Sequence, residues 1–86
     1  MIITIVAEEK RVKAYLSAMT EVPVPEMVLR VFSPSKDGEA IFNLGYSQRE
    51  AVYLCAGKRC AAPVGNPEML KREIRNFVAG ISRDGN

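Results

Sequence analysis

Cys55 and Cys60 are the two side chains in this 86-residue sequence whose type and spacing suggest chemistry most directly. Between them run Ala56-Gly57-Lys58-Arg59. Glycine at the first central position of a two-residue loop is the signature of a type II′ hairpin turn, so Gly57-Lys58 reads as a hairpin tip. Ala56 then pairs with Arg59, and Cys55 stands across from Cys60. Residues flanking a two-residue turn exchange hydrogen bonds, so the next pair outward does not, and its Cα atoms lie about 4.5 Å apart. Disulfides accept Cα separations of roughly 4.4–6.8 Å. A cross-strand bridge fits here, near the short end of that window, where strain makes a disulfide reducible. Two other readings stand beside this one. Cysteine often packs as a small hydrophobe, and a cytosolic chain keeps its thiols reduced unless they act. The pair is otherwise half of a metal site shared with a second chain, since two thiolates alone are too few for zinc. Lys58 and Arg59 either lower a neighbouring thiol pKa or mark a solvated tip.

The rest of the composition removes most other chemistry. The sequence has no His and no Trp. Ser-His and Cys-His catalysis, His-ligated zinc and an imidazole base are thereby excluded. Twelve Lys and Arg against ten Asp and Glu leave a net charge of +2, too slight to argue for nucleic acid or an anionic membrane. No apolar run approaches the ~20 residues of a membrane span. Met1–Ala7 is apolar, but no basic residue precedes it and Glu8-Glu9 follow at once, unlike a signal peptide. A cytoplasmic protein without a cofactor is expected. Glu8 and Glu9 are helix neighbours that do not face each other, and they suit the positive start of a helix better than a catalytic pair.

The elements that must position the cysteines follow from patterning. Ile2–Ala7 is a short β-branched run, read as a strand buried on both faces. Val12, Leu16 and Met19, with Tyr15 beside them, form the apolar stripe of a helix whose other side carries Lys10, Arg11 and Lys13. Pro23 and Pro25 end that helix and force an extended connector. Met27–Phe32 is a second strand, stopped at Ser33-Pro34. Strand, helix and strand within about thirty residues make a βαβ unit with parallel strands. Residues 35–48 read either as a short helix ended by Gly45 or as a loop pinned by Ile41, Phe42 and Leu44, with turn chemistry at Lys36-Asp37-Gly38. Ala51–Cys55 is a third strand, and Cys60-Ala61-Ala62 a short fourth that returns antiparallel and stops at Pro63. Asn66 is an N-cap and Pro67 a first helical residue. Leu70, Ile74, Phe77, Val78 and Ile81 give the last helix one apolar face, with Lys71, Arg72, Arg75 and Asn76 opposite and Gly80 near its end.

The expected fold is α/β, a single domain over residues 1–81 with a frayed tail at 82–86. Its mixed sheet joins a parallel βαβ unit to a C-terminal antiparallel hairpin. That order, β-α-β-(α)-β-β-α, is the order of the thioredoxin-like fold, an analogy that carries no function with it. A thioredoxin's dithiol would sit at the start of the first helix, where this chain has Ala7-Glu8-Glu9-Lys10.

Val52-Tyr53-Leu54-Cys55-Ala56-Gly57-Lys58-Arg59-Cys60-Ala61-Ala62-Pro63-Val64-Gly65-Asn66-Pro67-Glu68-Met69-Leu70 resembles a known family segment. It is the C-terminal end of large proteins that join a thioredoxin domain to an epimerase-like (α/α) toroid. That segment runs Tyr, aliphatic, Cys, four residues, Cys, two residues, Pro, then Asp-Pro-Glu and Leu. Cys55, Cys60, Pro63, Pro67, Glu68 and Leu70 fall on it, and Asn66 replaces the Asp while keeping the cap. The resemblance implies a free-standing relative or a piece of a longer protein. It transfers no catalytic residue, and the cysteines carry over as matched positions.

With no catalytic centre evident, the leading expectation is an interaction or accessory module. If both long helices lie on one side of the sheet, only residues 35–48 cover the other. Ile41, Phe42, Tyr46 and Tyr53 are then candidates for a surface that meets a second copy or a protein partner; alternatively, Ile41, Phe42, Leu44 and Tyr46 close that face. The rival expectation is a thiol-redox protein using Cys55 and Cys60.

Overall fold

β1 (Ile2–Val6) is the strand around which the sheet is built. In the computed structural model, which describes residues 1–22 and 26–84 and side chains as far as residue 80, it lies between β2 (Val28–Phe32) and β3 (Ala51–Ala56). β2 runs parallel to β1, β3 antiparallel to it, and β4 (Arg59–Cys60) antiparallel to β3, giving the order β2-β1-β3-β4. Three helices complete the chain: α1 (Glu9–Met19), α2 (Pro34–Asn43) and α3 (Pro67–Asp84). The expected α/β architecture with a mixed sheet is the one observed. The Pro23–Pro25 connector lies outside the described residues.

Side chains alternate across a strand, so the register sorts the sheet into two faces. Ile3 and Ile5 share one face with their partners Leu54, Val52, Leu29 and Val31. α1 and α3 cover that face and form the main core, in which Ile3, Ile5, Tyr15, Val52, Leu54, Leu70 and Ile74 are fully buried. The α1 stripe is rotated from the expected one. Tyr15, Ala18 and Met19 are buried, whereas Val12 and Leu16 are only partly so. α3 packs beside α1, and the burial is shared between them.

The second face carries Val28, Arg30 and Phe32 of β2, Ile2, Thr4 and Val6 of β1, and Ala51, Tyr53 and Cys55 of β3. The helix α2 lies over one end of it. Residues 35–48, for which the sequence allows helix or loop, form a helix over Pro34–Asn43 with caps at both ends. Pro34 takes the first helical position. The Ser33 N–H donates to the Asp37 carboxylate at 2.9 Å, and the Ser35 N–H to the Glu8 carboxylate at 3.0 Å. At the other end the Tyr46 N–H bonds the Ile41 carbonyl and the Gly45 N–H the Phe42 carbonyl. That is a Schellman closure, with Gly45 at φ +81°. The turn signal at Lys36-Asp37-Gly38 survives as a kink inside the helix, at Asp37 (φ −115°, ψ 23°).

Asn66 caps α3 as expected, its side-chain oxygen accepting the Glu68 N–H at 2.7 Å. Gly80 does not end that helix, which runs on to Asp84. A Cβ at Gly80 would come within 3.1 Å of the Arg59 guanidinium, which donates to the Gly80 carbonyl. The glycine lies under the hairpin's Arg59 and is not a stop.

Candidate functional site

The hairpin tip is built as the turn chemistry requires. Cys55 pairs with Cys60 and Ala56 with Arg59. Gly57 has φ +61°, and no other residue of the tip has positive φ, the backbone pattern of a type II′ turn. The Ala61 N–H donates to the Leu54 carbonyl at 2.9 Å. Cys55 and Cys60 therefore occupy a non-hydrogen-bonded pair, with Cα atoms 4.1 Å apart, and they form a disulfide. Sulfurs bonded to each other have no thiolate to offer a metal, so the shared metal site has no donors in this state. Among the described residues no group of three or more acidic or cysteine side chains is placed to hold an ion.

The disulfide ends a row that crosses the whole sheet. Val28, Ile2, Cys55 and Cys60 are register neighbours on the second face, at the end away from α2. Val28 is 56% and Ile2 40% exposed, and Cys60 is exposed.

The other end of that face is closed. Ile41 is fully buried, so it belongs to the fold and not to an accessible surface. Tyr46 stacks on Tyr53 with ring centroids 4.5 Å apart. Its hydroxyl accepts from the Arg30 guanidinium at 2.7 Å, and Arg30 also donates to the Thr4 hydroxyl at 3.1 Å. The Tyr53 hydroxyl accepts the Ser47 N–H. Of the four surface candidates, Ile41 and Tyr46 thus cover the sheet, and Tyr53 is the strand residue on which Tyr46 stacks. Phe42 points away from it, 77% exposed, with Leu44 half exposed beside it.

The apolar surface left open lies instead at β2, an edge strand. Met27, Val28, Leu29 and Val31 are each 39–56% exposed. Met27 and Leu29 line an apolar groove with Leu16, Met19, Thr20 and Val22 of α1 and its C-terminal turn. The Val28 N–H donates to the Met1 carbonyl, and the Phe32 carbonyl accepts from Ala7. Backbone groups alternate along a strand, so those of Leu29 and Val31 face outward. Among the described residues no strand takes them.

Two polar clusters were not legible in the sequence. Glu50 receives the Tyr15 hydroxyl at 2.6 Å and the Arg11 guanidinium at 3.2 Å. Burial pushes the Tyr15 pKa up to about 12, and the hydrogen bond to Glu50 adds to it. Burial would raise the Glu50 carboxyl, but Arg11 and the Tyr15 hydroxyl outweigh it and hold it below the usual range. The only hint was that a buried tyrosine hydroxyl needs a partner. The second cluster adds a role for Glu8, which stands at the start of α1 as expected. Its carboxylate has no capping bond in α1. It reaches across to the start of α2, where hydrogen bonds from Ser35 and Ser33 lower its pKa. Lys71, expected on a merely solvated face, bridges α3 to Glu21 just past α1.

No helix among the described residues is long and apolar enough to cross a membrane. Comparison with protein-family models, with curated proteins and with solved structures finds no match to this chain.

Proposed function

We propose that this chain is a small non-catalytic interaction module, thioredoxin-like in element order, whose working surface is the free edge of β2 and whose partner is a second copy of itself. One observation carries the reading: an edge strand offers outward backbone groups with exposed apolar side chains, and within it neither Lys nor Pro blunts the edge. β2 contains no Lys and no Pro, and its one charge, Arg30, is turned inward onto Thr4 and Tyr46. Natural edges are normally blunted by such residues, by bulges or by short length. The opposite edge is defended: β4 is two residues long and follows Lys58.

Antiparallel pairing of two β2 strands requires outward residues to face outward residues. Leu29 opposite its own copy meets that condition. It sets Met27 across from Val31 and Arg30 across from Val28, with no like charges opposed. Such a two-fold contact is self-complementary and closes as a dimer, and the defended β4 edge stops further growth. Sedimentation velocity at micromolar concentration tests this. The wild-type chain is expected to dimerise, and Val31→Lys, an exposed change, is expected to be monomeric and folded. A wild-type monomer across the range would contradict it.

A second reading is favoured by the Cys55–Cys60 disulfide: a thiol-redox protein. A cytoplasmic setting goes with it, since that compartment keeps thiols reduced unless they act; the resemblance of residues 52–70 to the segment following an (α/α) toroid supplies matched cysteine positions and no redox role. Its test is the equilibrium of the pair against a glutathione redox buffer. A disulfide that never opens would end this reading.

A further inference from the structure

We propose that Cys60 is the sulfur at which an outside thiol enters the Cys55–Cys60 disulfide, with Cys55 as the leaving and resolving thiol; this rests on the thiol-redox reading above. The two sulfurs differ in access. Cys60 is exposed on β4, the outermost strand, whereas Cys55 is only partly exposed on β3, between β1 and β4. Displacement at sulfur is in line: the attacking thiolate approaches along the extension of the bond that breaks. For attack on Cys60 that line comes from beyond the sheet edge, where no strand is paired among the described residues. For attack on Cys55 it comes over β1, where Ile2 is the register neighbour of Cys55 on the same face.

The step balances with a monothiol RSH as co-reactant. The thiolate RS⁻ forms a bond to Cys60 Sγ, the Sγ–Sγ bond breaks, and its electron pair leaves on Cys55 Sγ, which takes a proton from solvent. A second RS⁻ attacks the R-side sulfur of the mixed disulfide, giving RSSR and the Cys60 thiolate. Two RSH are oxidised and one protein disulfide is reduced to two thiols. In reverse, the Cys55 thiolate attacks Cys60 Sγ and expels RS⁻. Ile2 flanks Cys55 on the β1 side, whereas among the described residues no strand lies beyond Cys60.

The sequence makes the experiment direct, because Lys58 and Arg59 lie between the cysteines and trypsin places each in its own peptide. The oxidised, folded chain is exposed to millimolar glutathione, quenched in acid and mapped by mass spectrometry. The single variants Cys55→Ser and Cys60→Ser are compared for the rate at which their remaining thiol reacts with oxidised glutathione. The adduct is expected on the Cys60 peptide, and the Cys60 thiol is expected to react about tenfold faster than the Cys55 thiol, access being the difference. An adduct on Cys55, or equal partition with equal rates, overturns the assignment and leaves the redox reading standing. A disulfide that glutathione does not open overturns both.

Discussion

Single residues set how this small domain responds to pH. Tyr15 is buried under α1 with its hydroxyl on Glu50, and its pKa is raised to about 12. The folded state holds that proton more tightly than the unfolded chain, whose tyrosines titrate near about 10. The resulting stability is fully present below pH 10 and is lost as pH rises toward 12. Denaturant midpoints measured between pH 8 and pH 12 should fall for the wild type and much less for Tyr15→Phe. Glu50 and Glu8 behave oppositely. Both are lowered, so their contribution is present above the usual carboxylate range, about 4.3, and is lost as pH falls through their folded values. Glu50→Gln should flatten part of the acid limb of the same titration. None of this was readable beforehand, because Glu50 is separated from Tyr15 by 35 positions and from Arg11 by 39. Glycine was more informative and also misled. Gly57 announces the turn because φ > 0 is required there, while Gly80 sits inside a helix, beside the Arg59 guanidinium.

At the scale of elements, periodicity located the strands and both long helices, since burial on one face leaves a repeat in the sequence. Ile74 is fully buried and Phe77 nearly so. Truncating either to Ala should cost about 2–5 kcal/mol, a large share of the stability of so small a domain; a loss under about 1 kcal/mol would mean that α3 is not packed as described. Asn66→Ala, which removes the α3 cap, should cost about 1 kcal/mol by the same denaturation assay. The second helix was not decided by the sequence because its evidence is split. Its cap partners Asp37 and Glu8 lie four and 27 positions from the groups they hold, and only the first is local. Three of the four surface candidates are engaged within the fold, Phe42 being the one left exposed, for a related reason. Ile41, Tyr46 and Tyr53 are apolar or aromatic in the sequence whether they cover a sheet or face solvent, and Tyr46, in the loop after α2, is fixed by Arg30 of β2 and Thr4 of β1.

For the whole molecule, strand order decides which apolar residues remain open. Met27, Val28, Leu29 and Val31 look like core in the sequence, and they would be if β2 were central. The order β2-β1-β3-β4 puts them at the rim. The disulfide ties the opposite rim, so the two edges differ: one is covalently pinned and short, the other open and apolar. The claim that the open edge pairs with its own copy is tested most directly by amide hydrogen exchange across a concentration series. The Leu29 and Val31 amides, which face outward from β2, are predicted to become protected as concentration rises, while the Lys58 amide at the hairpin tip stays unchanged. Exchange at Leu29 and Val31 that is fast and independent of concentration would contradict the account.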